Sequence, residues 1–192
     1  FISAKENSED TDASRYALVM YDIATAWVDV IPSTYRNEVE ATLALAEFAG
    51  PKQHVDSIHI DNAPELVAAA KGLSWCTDTS TPYISQTNGI VERQVGLIEE
   101  GARSILDRSG LGPKMWQLAC RHFCFAMNTR RLFGADSPYQ LRHGGKQPNA
   151  QMIPFGADID YLPPKPTLAT RPKFGTKAIP GIMLGYHLSP GG

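Results

Sequence analysis

No run in this chain approaches the roughly 20 apolar residues of a membrane-crossing helix; the longest, such as Ala17 to Met20, are strand-length. No membrane partner is expected. Cysteine is scarce. Cys76, Cys120 and Cys124 are too few and too odd in number for a disulfide framework, which points to a reducing, intracellular compartment. No signal peptide is recognisable. Ser85 and Ser104 lack His and Asp partners in a recognisable arrangement, so a serine hydrolase is not expected. Nor is a small-molecule cofactor. The chain starts at Phe1 rather than Met and stops at Gly191-Gly192 just after an apolar run, and reads as a piece of something longer.

What is present is enough for a packed core. The 192 residues are 43% hydrophobic and 20% charged, which fits one domain of common size or one domain plus a small appendage. The net charge of −2 hides an asymmetry. Residues 1–92 carry 5 Lys and Arg against 14 Asp and Glu, and residues 93–192 carry 13 against 6. An acidic half followed by a basic half suggests a polyanion-binding surface with a separate acidic site. Two ordinary solvated faces would also account for it.

Residues 1–15 are polar and read as a loop. Tyr16 to Tyr21 and Ala26 to Ile31 are short, apolar and rich in β-branched and aromatic residues, which predicts a hairpin joined by Asp22 to Thr25. Ser33 to Phe48 reads as a helix with Val39, Leu43 and Ala46 on one face, stopped by Gly50-Pro51. Val55 to Ile60 reads as a strand entering Asp61, and Pro64 opens a helix ending near Gly72. Thr81 to Gly89 is a loop. Val91, Val95, Ile98, Ala102 and Ile105 then recur at helical steps, and that helix ends near Ser109-Gly110. Pro113 opens a further helix to about Arg131. Residues 134–172 are rich in Pro and Gly and read as a linker or extended wrap, and Ile179 to Tyr186 as one or two strands of a small β unit. The order is an α/β pattern with antiparallel hairpin strands and a later parallel strand in a mixed sheet.

Asp61 stands where a strand ends, and Glu92 in the first turn of the long helix after a flexible loop. Such a pair can converge over a sheet edge and hold a hard divalent cation through oxygen ligands. Taken alone it is a weak signal, because carboxylates at helix starts are also favoured by the macrodipole. The surrounding strings are more specific. Ile58–Leu66 (IHIDNAPEL) and Thr81–Arg93 (TPYISQTNGIVER) resemble the second and third acidic motifs of retroviral and retrotransposon integrases, the DDE family. Asp61, Asn62 and Glu65 match the first string, and Pro82, Tyr83, Gln86, Gly89 and Glu92 the second. Gly101–Leu106, Met115–Arg130, Ser137–Leu141, Pro154–Gly156 and Ile182–Tyr186 point further, to the integrases of copia-type retrotransposons.

The resemblance implies a ribonuclease-H-like mixed sheet flanked by helices, its first strand expected to be missing, followed by an extended linker and the start of a small β module. On that basis residues 1–15 are a polar loop, 16–133 the integrase catalytic core, and 134–192 the linker and a truncated C-terminal β segment of a polyprotein. The resemblance also implies metal-dependent DNA 3′-end processing and strand transfer. Asp61 and Glu92 would be the catalytic metal ligands, with two Mg²⁺ or Mn²⁺ ions in the complete site. Tyr83, Gln86 and Asn88 would line the mobile loop at the DNA end. Arg93, Arg103 and Arg108 would supply phosphate contacts to element ends and target DNA. A homo-multimer and a nuclear site of action are implied in the same way.

The sequence departs from the family in several places. The family uses three carboxylates, and the first is expected upstream of Phe1; Asp10 and Asp12 lie in a polar insertion, and Asp22 matches the non-catalytic Asp of the hairpin turn. The spacer from Asp61 to Glu92 is shorter than usual. Ala63 replaces a Gly, and Gly96 stands where a basic residue is usual. Whether the fragment is an enzyme is therefore left open, and alone it is expected to be inactive. A catalytically dead or domesticated nucleic-acid-binding relic of the same fold is the alternative. A ribonuclease-H-like hybrid cutter is disfavoured by the loop and long helix around Glu92. Cys120 and Cys124, flanking His122, are expected to be buried small hydrophobes rather than metal ligands. Trp27, Trp75 and Trp116 are expected in the core or an interface, and His59 in a structural or exposed role.

Overall fold

The computed structural model describes residues 2–3, 15–51, 54–79, 89–131, 134–164, 172 and 174–189. The first sheet has the order β1-β2-β3, all antiparallel: β1 (Ile2–Ser3), β2 (Tyr16–Tyr21) and β3 (Val28–Ser33). β2 is apolar on both faces because both are covered. Ala17 and Val19 point to one core cluster, Leu18 and Met20 to the other, as the two-residue period of a strand requires. Among the described residues β3 is an edge strand, which tolerates Pro32 with its missing N–H.

The hairpin forms, but its second strand starts two residues later than expected. Asp22 to Trp27 makes a six-residue connection. Asp22 takes the turn role expected of it: its carboxylate accepts from the Ala24 N–H at 3.0 Å and the Thr25 hydroxyl at 2.6 Å. Ala26 adopts φ 59°. Trp27 is thereby swung inward and is 1% exposed.

α1 (Glu38–Ala49) begins five residues after the expected start and is capped by Asn37, whose side chain accepts from the Glu40 N–H. The expected inward face is also corrected. Ala41, Ala44, Leu45 and Ala49 are buried, whereas Val39 and Leu43 are 67% and 63% exposed. This helix is apolar nearly all round, so periodicity cannot choose its face. Small side chains lie inward and permit close approach to β3 and to α2 (Pro64–Gly72).

β4 (Ser57–Ile60) pairs in parallel with β5 (Cys76–Thr79), a strand that sequence reading misses because CTDT is too polar to stand out. The antiparallel hairpin and the later parallel strand are both present as expected, and among the described residues no ladder joins the parallel pair to β2. α3 (Gly89–Ser109) and α4 (Trp116–Thr129) pack across the opposite face of the first sheet, a short 3₁₀ turn at Pro113–Met115 leading into α4. Ile98, Ala102, Ala119, Cys120 and Cys124 are buried there. Gly101 lets α3 and α4 approach: a Cβ on it would lie 2.3 Å from the Phe123 ring.

Residues 134–164, expected as linker or wrap, hold regular structure. α5 (Pro138–Arg142) has a capping box between Ser137 and Gln140, a signature readable in the sequence as Ser-x-x-Gln. β6 (Asp158–Tyr161) pairs antiparallel with β7 (Ile179–Ile182) in a two-stranded ribbon. Together these give helices on both faces of the central strands, the layered α/β arrangement.

Candidate active site

β4 runs out of the core at Ile60, which is buried, and delivers Asp61 to solvent as its next residue. The Asn62 N–H donates to Asp61 Oδ1 at 2.8 Å, which fixes the carboxylate at the start of the turn into α2. Glu92 lies in the first turn of α3 and is exposed. The free N–H groups there favour an anionic side chain. Both carboxylates are therefore presented to solvent at the ends of regular elements.

Glu65, the second acidic residue of the first string, is not free. Arg36 Nη2 lies 3.0 Å and its Nε 3.2 Å from Glu65 Oε1, so Glu65 ties the loop before α1 to the first turn of α2. Nothing local in the sequence links these residues, which are 29 positions apart. Two residues before Asp61, His59 Nδ1 meets Asp78 Oδ2 at 3.2 Å, as neighbours in register on β4 and β5. Among the described residues no group of three or more His, Cys, Asp or Glu side chains is placed to hold a metal.

α3 sorts the expected phosphate-binding arginines. At about 100° per residue, Arg103 falls on the same face as Glu92, roughly 16 Å along the axis. Gly96 and Glu99 lie between them on that face, so a small residue and a negative charge separate the two. Arg93 points about a quarter turn away. Arg108 lies on the other side, lining a groove with Ile105, Ser109 and Phe155. Arg93, Arg103 and Arg108 are all exposed. Tyr83, Gln86 and Asn88 fall outside the described residues.

Cys120 and Cys124 are buried, as expected. Burial pushes the Cys120 thiol up to about 12 and lifts Cys124 well above its ordinary value, so both are inert packing groups. The polar cluster that sequence reading missed lies elsewhere, where β3, α1, α4 and α5 meet. Asp29 is 7% exposed, and burial pushes its carboxyl up to about 6 against the opposing pull of Arg121. Arg121 bonds Glu47 at 3.1 Å. Arg142 approaches Asp22 at 3.5 Å, donates to the Phe48 carbonyl and lies over the Trp27 and Phe48 rings. The only sequence signal is the polar interruption of VDVI, which alternation with solvent explains equally well.

No family model matches the chain. Its sequence is 26% identical to a Gag-Pol polyprotein of Koala retrovirus and 27% identical to one of Woolly monkey sarcoma virus, each over 78% of this chain. The chain spans 9% of the length of either relative. Its fold is similar to the BIV integrase catalytic core domain (TM-score 0.50, 19% identity, covering 64% of this chain and 82% of that one). It is also similar to a chain of the simian T-cell lymphotropic virus intasome in complex with PP2A regulatory subunit B56 gamma (TM-score 0.56, 19% identity, covering 85% and 60%). A third likeness is to the HTLV-2 integrase catalytic core domain in complex with magnesium (TM-score 0.51, 17% identity, covering 65% and 82%). The chain has the ribonuclease-H-like fold of integrase catalytic cores.

Proposed function

We propose that this chain is the integrase catalytic region of a copia-type retrotransposon polyprotein, contributing to metal-dependent DNA end processing and strand transfer. The observation that carries the reading is the placement of Asp61 and Glu92, within their two motif strings, at a strand end and a helix start of this fold. Two solvent-facing carboxylates fit a Mg²⁺ or Mn²⁺ ion, which takes one or two carboxylates and completes its shell with water and phosphate oxygens. Bound metal would supply an activated attacking oxygen and charge neutralisation at the leaving oxygen.

Asp61 and Glu92 would hold the ions; Arg93 and Arg103 contact backbone phosphates, and Tyr83, Gln86 and Asn88 meet the DNA end. Water attacks phosphorus near the element end and frees a 3′-hydroxyl. That hydroxyl then attacks a target phosphodiester in line and displaces a new 3′-hydroxyl. The working form is a homo-multimer on DNA in the nucleus. A two-carboxylate site holds its ions weakly, so the 192 residues alone are expected to give negligible joining.

The test is a Mn²⁺ titration of the chain in the presence of a short duplex with a recessed end. Wild type should bind the ion, and Asp61→Asn and Glu92→Gln should each weaken binding at least tenfold without loss of fold. Equal affinity in all three would overturn the assignment. DNA affinity untouched by Asp61→Asn, with no nicking in Mn²⁺, would favour the alternative of a catalytically dead, nucleic-acid-binding relic, for which Gly96 and Ala63 speak.

A further inference from the structure

The β6–β7 ribbon is held to the helical layer by the segments that flank it. Phe155 precedes β6 and Tyr186 follows β7, and both close on one side chain of α4, His122. The imidazole is 6% exposed. Its ring centroid lies 5.5 Å from that of Phe155, edge-on, and 5.6 Å from that of Tyr186, stacked. Tyr186 also stacks on Phe125 at 4.1 Å. The flanking segments are tied to each other as well. The Gly156 N–H donates to the Met183 carbonyl at 2.7 Å, and the Met183 N–H to the Ala157 carbonyl at 2.9 Å. The Tyr186 hydroxyl accepts from the Ile153 N–H at 2.7 Å and donates to the Gln151 carbonyl at 2.8 Å. The two segments therefore move as one strap, and His122 sits under both of its ends.

We propose that His122 is a pH-sensitive latch: the strap formed by residues 151–157 and 183–186 stays on α4 while the imidazole is neutral and loosens when it is protonated. An aromatic sandwich accepts a neutral ring readily, whereas a buried imidazolium needs a partner. His122 Nδ1 is buried and has no hydrogen-bond partner among the described residues. Among the described residues the groups around it offer no compensating charge. On α4, Arg121 is turned to Glu47, and Cys120 is an un-ionised thiol. From the strap come Tyr186, whose hydroxyl is committed, and the exposed His187; residues 151–157 contain no ionisable side chain. Glu99, Asp107 and Arg108 on α3 are solvent-exposed. Burial accordingly lowers the His122 pKa. The sign follows: docking is full above the ordinary imidazole value of 6.5 and weakens as pH falls below it toward the depressed folded value.

Amide hydrogen exchange on the full chain, corrected for intrinsic rates, tests this at pH 7.5 and 5.0. Protection of the Ile153, Gly156 and Met183 amides should fall at least tenfold at pH 5.0, while the amide of Ile31, paired with Leu18 in the central ladder, falls less. His122→Phe should remove the difference. Strap protection retained at pH 5.0, or an equal loss in His122→Phe, would overturn the proposal. If that variant does not fold, an NMR titration of the wild-type imidazole decides. A pKa at or above the ordinary value would overturn the latch, and one below it with strap shifts on the same curve supports it.

Discussion

Asn128 closes the open edge of the central sheet by pairing with the backbone of Val28. The Val28 N–H donates to Asn128 Oδ1 at 3.0 Å, and Asn128 Nδ2 donates to the Val28 carbonyl at 2.7 Å. One side-chain amide reproduces the donor and acceptor of a neighbouring strand at the point where α4 crosses β3. Asn128 is 1% exposed, so water cannot take its place. An edge that would otherwise offer unpaired groups to another chain is sealed from within.

Asn128→Leu should orphan both groups. A buried backbone group left unpaired costs about 1–3 kcal/mol, so the urea midpoint should drop clearly at an unchanged slope. A midpoint equal to wild type would show that the Val28 groups find partners elsewhere.

Asp29 should make stability depend on pH in the direction opposite to most carboxylates. Its folded pKa is raised from 3.8 to about 6, chiefly by burial. The folded state therefore favours the neutral acid. The stabilisation is complete below 3.8 and is lost as pH rises to about 6. Asp29→Asn, measured by urea unfolding at several pH values between 4 and 7.5, should flatten that slope. A slope as steep in the variant as in wild type would assign the effect to another group.

Two glycines of α3 should respond in opposite senses to alanine. Gly96 has open space around the Cβ position, so Gly96→Ala should stabilise by about 0.5–1 kcal/mol. Gly101→Ala meets the Phe123 ring and should destabilise by about 1–3 kcal/mol. In a Phe123→Leu background the Gly101→Ala penalty should shrink, and a full double-mutant cycle by thermal unfolding measures the coupling. No coupling would mean that α3 and α4 shift apart instead.

Arg142 fastens α5 to the hairpin turn. Its side chain is 4% exposed and lies between Asp22, the Phe48 carbonyl and the Trp27 ring. Arg142→Met keeps much of the stem but abandons the charge, and removing one partner of a buried pair costs about 3–5 kcal/mol. Asp22 is part-exposed, so the loss should fall at the low end of that range. Hydrogen exchange should show the Leu141 and His143 amides losing protection first. Unchanged protection there would locate the docking of α5 in Trp27 and Tyr139 alone.

The sequence by itself determined the elements whose signals are local. The helix from Pro64 to Gly72 and the long helix from Gly89 to Ser109 follow from proline, glycine and a 3.6-residue apolar period. The positions of Asp61 at a strand end and Glu92 at a helix start were legible too, because motif spacing and element boundaries coincide there. The tertiary structure alone decided which face of α1 turns inward, since an all-round apolar helix is oriented by the volume its neighbours leave. It also decided that polar CTDT becomes a strand, through a ladder with β4. Arg36 and Glu65, Asn128 and Val28, and the surroundings of Asp29 likewise join residues from distant parts of the chain. Such pairs leave no periodic trace, because long-range partners are chosen by packing and by the cost of leaving a buried polar group alone.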